Sequence, residues 1–198
     1  FSFSQHADQI KRIYDEALTN GRVYEDLHVL CKEIGNRLSG SPEAAAAIEY
    51  THRLMESYNF DTVYLQPVMV PHWIRGKKEV VRAMNSNKHG TFEMNALALG
   101  NSVGTGPDGV LADVVEVSGI DEVNQLGKKL EGKIVFYNGQ MDPTIVNTFG
   151  AYGGAVVQRS SGASEAAKYG AKAIIIRSVT NRQDDIPHTG SLRYKALI

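Results

Sequence analysis

A single cysteine, Cys31, stands among 198 residues. One thiol excludes an intrachain disulfide and any metal cluster built on cysteine. It leaves the compartment open, because exported proteins without disulfides are common. Long hydrophobic runs are also missing. None approaches the roughly 20 residues that a bilayer-spanning helix needs. Neither charge sign is in surplus: the formal net charge is −1, which gives no electrostatic basis for a nucleic-acid or anionic-membrane partner. The segment at Phe1 has no charged stretch followed by an apolar one, as a secretory leader would. The lack of an initiator methionine points to a processed or trimmed N-terminus. There is no internal repeat and no low-complexity tract. What remains is an ordinary globular composition, 42% hydrophobic and 22% charged, enough for one sizeable core or two small domains.

Taken in order, Ile10, Ile13, Tyr14, Ala17 and Leu18 keep helical spacing and predict a helix over about Ser4–Thr19, stopped by Asn20-Gly21. Tyr24, Leu27, Cys31 and Ile34 predict a second amphipathic helix ending at Gly35, with Cys31 as a buried, inert thiol. Ser41 and Pro42 are a good N-cap and first helical residue. A third helix of about four turns follows, its stripe running from Ala44 to Tyr58. From Thr62 the chain reads as extended, with Pro67 and Pro71 implying an edge strand or bulge. Glu79–Met84 and Phe92–Leu99 read as two strands joined by a polar turn. The glycine-rich Gly100–Gly109 places a domain boundary near residue 100. Val110–Val117 and Ile134–Tyr137 are expected strands, a short helix is expected near Asp121–Lys129, and Gly139–Gly154 is expected to be a loop.

The stretch Gln158–Tyr194 is the most informative. Ser160 or Ser161 is the expected cap of a helix carrying Ala163–Lys168, and Gly170 supplies the left-handed residue that ends it. Ala171–Ile176 then reads as a central strand covered on both faces. The polar loop Asn181–Gly190 follows its carboxyl end, where ligand-facing loops usually sit.

The words GASEAAKYGA at Gly162–Ala171, IIIRSV at Ile174–Val179 and PHTG at Pro187–Gly190 resemble the protease-associated domain of the carboxypeptidase Q family, di-zinc peptidases also called plasma glutamate carboxypeptidases. IGNRLSGS at Ile34–Ser41, VPHWIRG at Val70–Gly76 and GKIVFYN at Gly132–Asn138 match the same family. The resemblance implies an α/β architecture. Residues 1–100 would be the N-terminal part of an incomplete peptidase domain. Residues 101–198 would be an inserted protease-associated domain, truncated at its C-terminal end. It also implies an exported protein, secreted or periplasmic, that hydrolyses dipeptides or short peptides with a water activated by two zinc ions. Peptide is the implied partner, and a homodimer is left open. The alternative is a protease-associated module that binds peptide or protein without chemistry.

The family draws its zinc ligands from a His-x-Asp after a buried strand, an adjacent Glu-Glu pair and a late histidine. This sequence has no Glu-Glu, and its one His-x-Asp, His6-Ala7-Asp8, opens a surface helix. The ligands are therefore expected beyond this chain, and the 198-residue chain alone is expected to be inactive. Two loops keep a role toward substrate under the resemblance. Arg37 and Ser39 lie in the loop beside the catalytic cleft, where Arg37 would contact a carboxylate or, alternatively, pair with a surface glutamate. Arg177 and His188, with Ser178, Thr189 and Gly190, would form the substrate-facing edge of the inserted domain or only tether its loop. Asp184-Asp185 with His188 is expected to be a solvated loop rather than a metal site. Gly104-x-Gly106 does not open a helix as a dinucleotide fingerprint would.

Overall fold

The computed structural model describes residues 2–195. It is a mixed α/β structure of two compact units, the first ending at Ile74 and the second beginning at Arg75. That division by packing falls ahead of the glycine-rich segment.

The first unit is helical. Helix α1 spans Ser2–Asn20 and α2 spans Val23–His28. The second predicted helix does not stay α-helical: Val29–Ile34 is wound as a π-helix and ends at Gly35, φ +84°. Cys31 is exposed, contrary to expectation, because it lies on the part of the stripe, with Tyr24 (77% exposed) and Leu27, that faces outward. Helix α3, Pro42–Ser57, starts as predicted, with the Ser41 hydroxyl accepting from Ala44 N at 3.1 Å. Tyr50 and Tyr58 tie α3 to α2 by donating to the two carboxylate oxygens of Asp26, each at 3.0 Å. Thr62–Val70 forms no strand. Pro67 and Pro71 remove ladder donors, and no described strand lies alongside to compensate.

The second unit begins with an antiparallel hairpin, β1 (Val81–Ser86) and β2 (Gly90–Met94), paired from Val81↔Met94 to Ser86↔Gly90 with a register irregularity after Ala83. A parallel sheet follows, ordered β3 (Val114–Val117), β4 (Ile134–Tyr137), β5 (Ala173–Ile176). Parallel neighbours need crossovers. These are α4 (Ile120–Leu126), prolonged by a 3₁₀ turn at Gly127–Leu130, and α5 (Thr148–Ala167). The core is Val117, Val123, Leu130, Val135, Tyr137 and Ala166.

Two expectations are corrected here. Helix α5 begins at Thr148, not at Ser160 or Ser161, so the last seven residues of the expected 139–154 loop are helical. Asn147 caps it, its Oδ1 accepting from Gly150 N at 3.2 Å. Burial of Ala151 and Gln158 on one face outweighs the low helix propensity of Gly150, Gly153 and Gly154. Strand β5 is an edge of the described sheet, not its centre; β4 lies between its neighbours and contributes the fully buried Val135 and Tyr137. Gly170 does end the helical segment, at φ +76°.

Candidate functional site

All three parallel strands end on the same side, after Val117, Tyr137 and Ile176. In open α/β sheets that edge is where ligands are held. Polar side chains link across it here. Glu116 Oε1 accepts from Asn138 Nδ2 at 2.7 Å, and Asn138 Oδ1 accepts from Arg177 Nη1 at 3.1 Å. Arg177 N also donates to Tyr137 O at 2.9 Å, extending the ladder by one residue. The guanidinium is thereby held at the rim by Asn138 and, through it, Glu116, the three residues lying at the carboxyl ends of neighbouring strands.

The 181–190 loop returns to this rim. His188 N donates to Ser178 Oγ at 3.0 Å, and the imidazole meets the Tyr152 ring edge-on, centroids 6.3 Å apart. Tyr152 in turn lies under Arg159, whose Cζ is 5.4 Å from the ring centroid. Arg177 and His188 are thus brought together through Ser178, as neighbours on one edge. Gln158 Nε2 donates to Gly139 O at 2.8 Å, fixing the turn after β4.

Arg37 and Ser39 belong to the first unit. Arg37 Nη1 donates to the main-chain carbonyls of Leu30 and, at 2.7 Å, of Gly35, so it caps the π-helix rather than pairing with a glutamate. Ser39 Oγ donates to Pro71 O at 2.6 Å. A Cβ on Gly40 would meet the His72 ring at 3.0 Å, so the Asn36–Ser41 loop lies tightly against the proline-histidine segment.

Among the described residues no three His, Cys, Asp or Glu side chains are grouped to hold a metal ion. Asp184 Oδ1 accepts from Ile186 N at 3.3 Å, an ordinary turn contact. A cavity of about 550 Å³ opens along β2, lined by Lys78, Glu79, Glu93 and Asp185 among others. Glu79 there is already occupied by Arg75, at 3.0 Å, and by Ala98 N, at 2.8 Å. Gly100–Gly104 reads G-N-S-V-G, but an isolated bridge precedes Ser102 and no helix follows it, so the strand–turn–helix context of a serine nucleophile is missing.

Sequence reasoning missed Glu116, Asn138, Tyr152 and Arg159. Asn138 carried a usable signal as the first polar residue after the apolar strand of GKIVFYN. Tyr152 and Arg159 carried none while their segment read as loop.

No family model matches the chain. Carboxypeptidase Q of Xenopus laevis is 40% identical over 190 residues, covering 94% of this chain. The bovine and human carboxypeptidases Q are 39% and 37% identical, each over 183 residues and 92% of the chain. The chain is homologous to carboxypeptidase Q. It spans 38% of the length of the Xenopus relative and 36% of the bovine and human ones. A crystal structure of a peptidase M28 precursor from Shewanella amazonensis superposes with a TM-score of 0.80 at 29% identity, covering 95% of this chain and 41% of that one. No helix among the described residues is long and apolar enough to cross a membrane.

Proposed function

We infer that this chain is the N-terminal part of an exported, secreted or periplasmic metallopeptidase that hydrolyses dipeptides or short peptides. Residues 1–100 are assigned to the peptidase domain and 101–198 to an inserted protease-associated domain. The observation that carries this is identity of 37–40% to carboxypeptidases Q over more than nine tenths of the chain. Two zinc ions would supply the activated water. The described residues offer no ligand set for them, so the ions would be held by residues outside the described ones. What the chain contributes is substrate holding. Arg37 and Ser39 in one loop, and Arg177 and His188 at the rim of the parallel sheet, are assigned to peptide binding. A guanidinium suits a carboxylate because its planar donors match two oxygens.

The test is hydrolysis of a dipeptide panel by the full-length protein, as purified, after chelation, and after zinc is restored. Activity lost on chelation and regained with zinc supports the assignment. Peptide binding without turnover in the zinc-loaded protein would make the segment a recognition module instead.

A further inference from the structure

Arg159 projects from α5 beside the sheet rim. Its Nη2 donates to Tyr152 OH at 2.5 Å, and the Tyr152 ring supports its charge from below. The other two nitrogens, Nε and Nη1, are buried and have no hydrogen-bond partner; among the described residues no other buried side-chain nitrogen or oxygen is in that condition. Nor does any carboxylate pair with Arg159 among the described ion pairs. Two guanidinium N–H positions shut away from water without an acceptor are costly. Such a group is best explained by an acceptor that arrives from outside.

The cover over it is Gly190. A Cβ built there would fall 2.4 Å from Arg159 Cζ and 2.7 Å from both Nε and Nη1, so the loop's main chain lies directly on the guanidinium and a side chain at 190 would have to push it aside. The covering loop, 181–190, has no regular structure. Few bonds hold it: Gly100 N to Gly190 O at 2.8 Å, His188 N to Ser178 Oγ at 3.0 Å, Asn95 Nδ2 to Asp185 O at 2.5 Å and, at its start, Arg182 N to Thr180 Oγ1 at 3.1 Å. Lifting its His188–Gly190 end would open the Gly100 N–Gly190 O bond of the isolated Gly100↔Ser191 bridge but no helix or longer strand.

We propose that Arg159, enclosed beneath Gly190 and backed by Tyr152, binds the carboxylate of a small ligand when the 181–190 loop lifts, and that in the peptidase this ligand is the free C-terminal carboxylate of a peptide. The donor geometry fits. Nη2 carries two hydrogens, and Tyr152 OH takes one. The other forms a planar two-donor fork with Nη1 or with Nε, whichever side Tyr152 leaves open. His188 packs edge-on against the same ring. The peptide identity of the ligand rests on the peptidase assignment; the carboxylate chemistry of the site does not.

The experiment is equilibrium binding to the full-length protein with its metals chelated, so that no turnover intervenes. N-acetylglycine is the probe, N-acetylglycinamide its uncharged counterpart and inorganic phosphate the competing anion. In ¹⁵N spectra the Arg159 Nε–H signal should shift saturably with N-acetylglycine and stay fixed with the amide. In calorimetry Arg159→Lys, which keeps the charge but loses the fork, should weaken N-acetylglycine by about ten-fold or more, a loss of about 1.4 kcal/mol. A wild-type Arg159 signal that does not move overturns the proposal, whether or not the variant folds. Equal binding of acid and amide overturns it too. Phosphate that displaces N-acetylglycine at comparable concentration overturns the carboxylate assignment in favour of a general anion site. Absent dipeptide hydrolysis in the zinc-restored protein, with N-acetylglycine binding intact, would remove the peptidase assignment and leave this site standing.

Discussion

Tyr137 donates its hydroxyl to the carbonyl of Gly162 at 2.9 Å, and a Cβ on Gly162 would fall 2.9 Å from the same tyrosine ring. The strand at the centre of the parallel sheet and the helix that covers it therefore meet at contact distance. Burial, and secondarily the charge of Glu165, push the phenol pKa up to about 12. The proton stays on the hydroxyl across the working range, and the bond with it.

Gly162→Ala sets two effects against each other. Alanine in a helix interior is favoured over glycine by about 0.8–1 kcal/mol. Overpacking a filled core costs about 1–3 kcal/mol, and Tyr137 is fully buried, so its ring has little room to give. The clash should win, with a net loss of about 1 kcal/mol in denaturant unfolding. Tyr137→Phe should cost about 1 kcal/mol by removing one buried hydrogen bond. A stabilised Gly162→Ala would show that α5 stands off the sheet.

The position of β5 changes what its isoleucines are worth. Read from the sequence, Ala171–Ile176 is an apolar run that should be enclosed, and Ile175→Ala should then cost about 2–5 kcal/mol. At the edge of the sheet Ile175 is only half-buried, so a loss below about 2 kcal/mol is expected, while Leu130→Ala at a fully buried site should fall in the 2–5 kcal/mol range. An Ile175→Ala loss equal to that of Leu130→Ala would mean a further strand covers this edge.

That contrast marks where the sequence was legible. Short-range signals came through: the Ser41-Pro42 start of α3, the Ile134–Tyr137 strand and the glycine ending at Gly170. Each depends on a residue and its immediate neighbours. Strand order did not come through, because an apolar run looks the same at the centre and at the edge of a parallel sheet. The length of α5 was hidden by Gly150, Gly153 and Gly154, whose unfavourable propensity is overruled by burial of Ala151 and Gln158. Half of the rim site was legible. Arg177 and His188 stand in the recognisable words, whereas Arg159 matters only because Gly190 lies over it, 31 residues away in sequence.

Glu165 should give the second unit an acid-sensitive seam. Its carboxylate takes Lys168 Nζ at 2.5 Å and Lys195 Nζ at 3.3 Å, joining α5 to the segment after the loop. The Lys168 hydrogen bond, chiefly, lowers its pKa below the ordinary 4.5, against the effect of burial. A carboxyl lowered in the folded state stabilises fully above its unfolded value and loses that contribution as pH falls through the folded value. Stability should therefore drop below about pH 4.5, and Glu165→Gln should flatten this part of the profile while lowering stability at neutral pH. Unfolding curves from pH 7 to pH 3 check it, and an unchanged acid limb in the variant would assign the sensitivity to another carboxylate.

The relay Glu116–Asn138–Arg177 yields a kinetic prediction for the full-length protein under the proposed peptidase function. Arg177 is held at the rim by Asn138, and Asn138 by Glu116. If Arg177 grips substrate, Arg177→Ala should raise KM by about ten-fold with kcat little changed, the signature of a contact made equally in ground and transition states. Arg177→Lys should recover little, since an ammonium lacks the planar fork. Asn138→Ala leaves the guanidinium in place but frees it to swing, so its KM should rise by less. The double variant decides between holding and mere proximity. If Asn138 acts through Arg177, Asn138→Ala should add nothing once Arg177 is gone, giving a double variant no worse than Arg177→Ala. Additive losses would mean that Asn138 touches substrate itself. Wild-type kinetics for Arg177→Ala, with a lowered Tm, would confine the relay to tying the strand ends together.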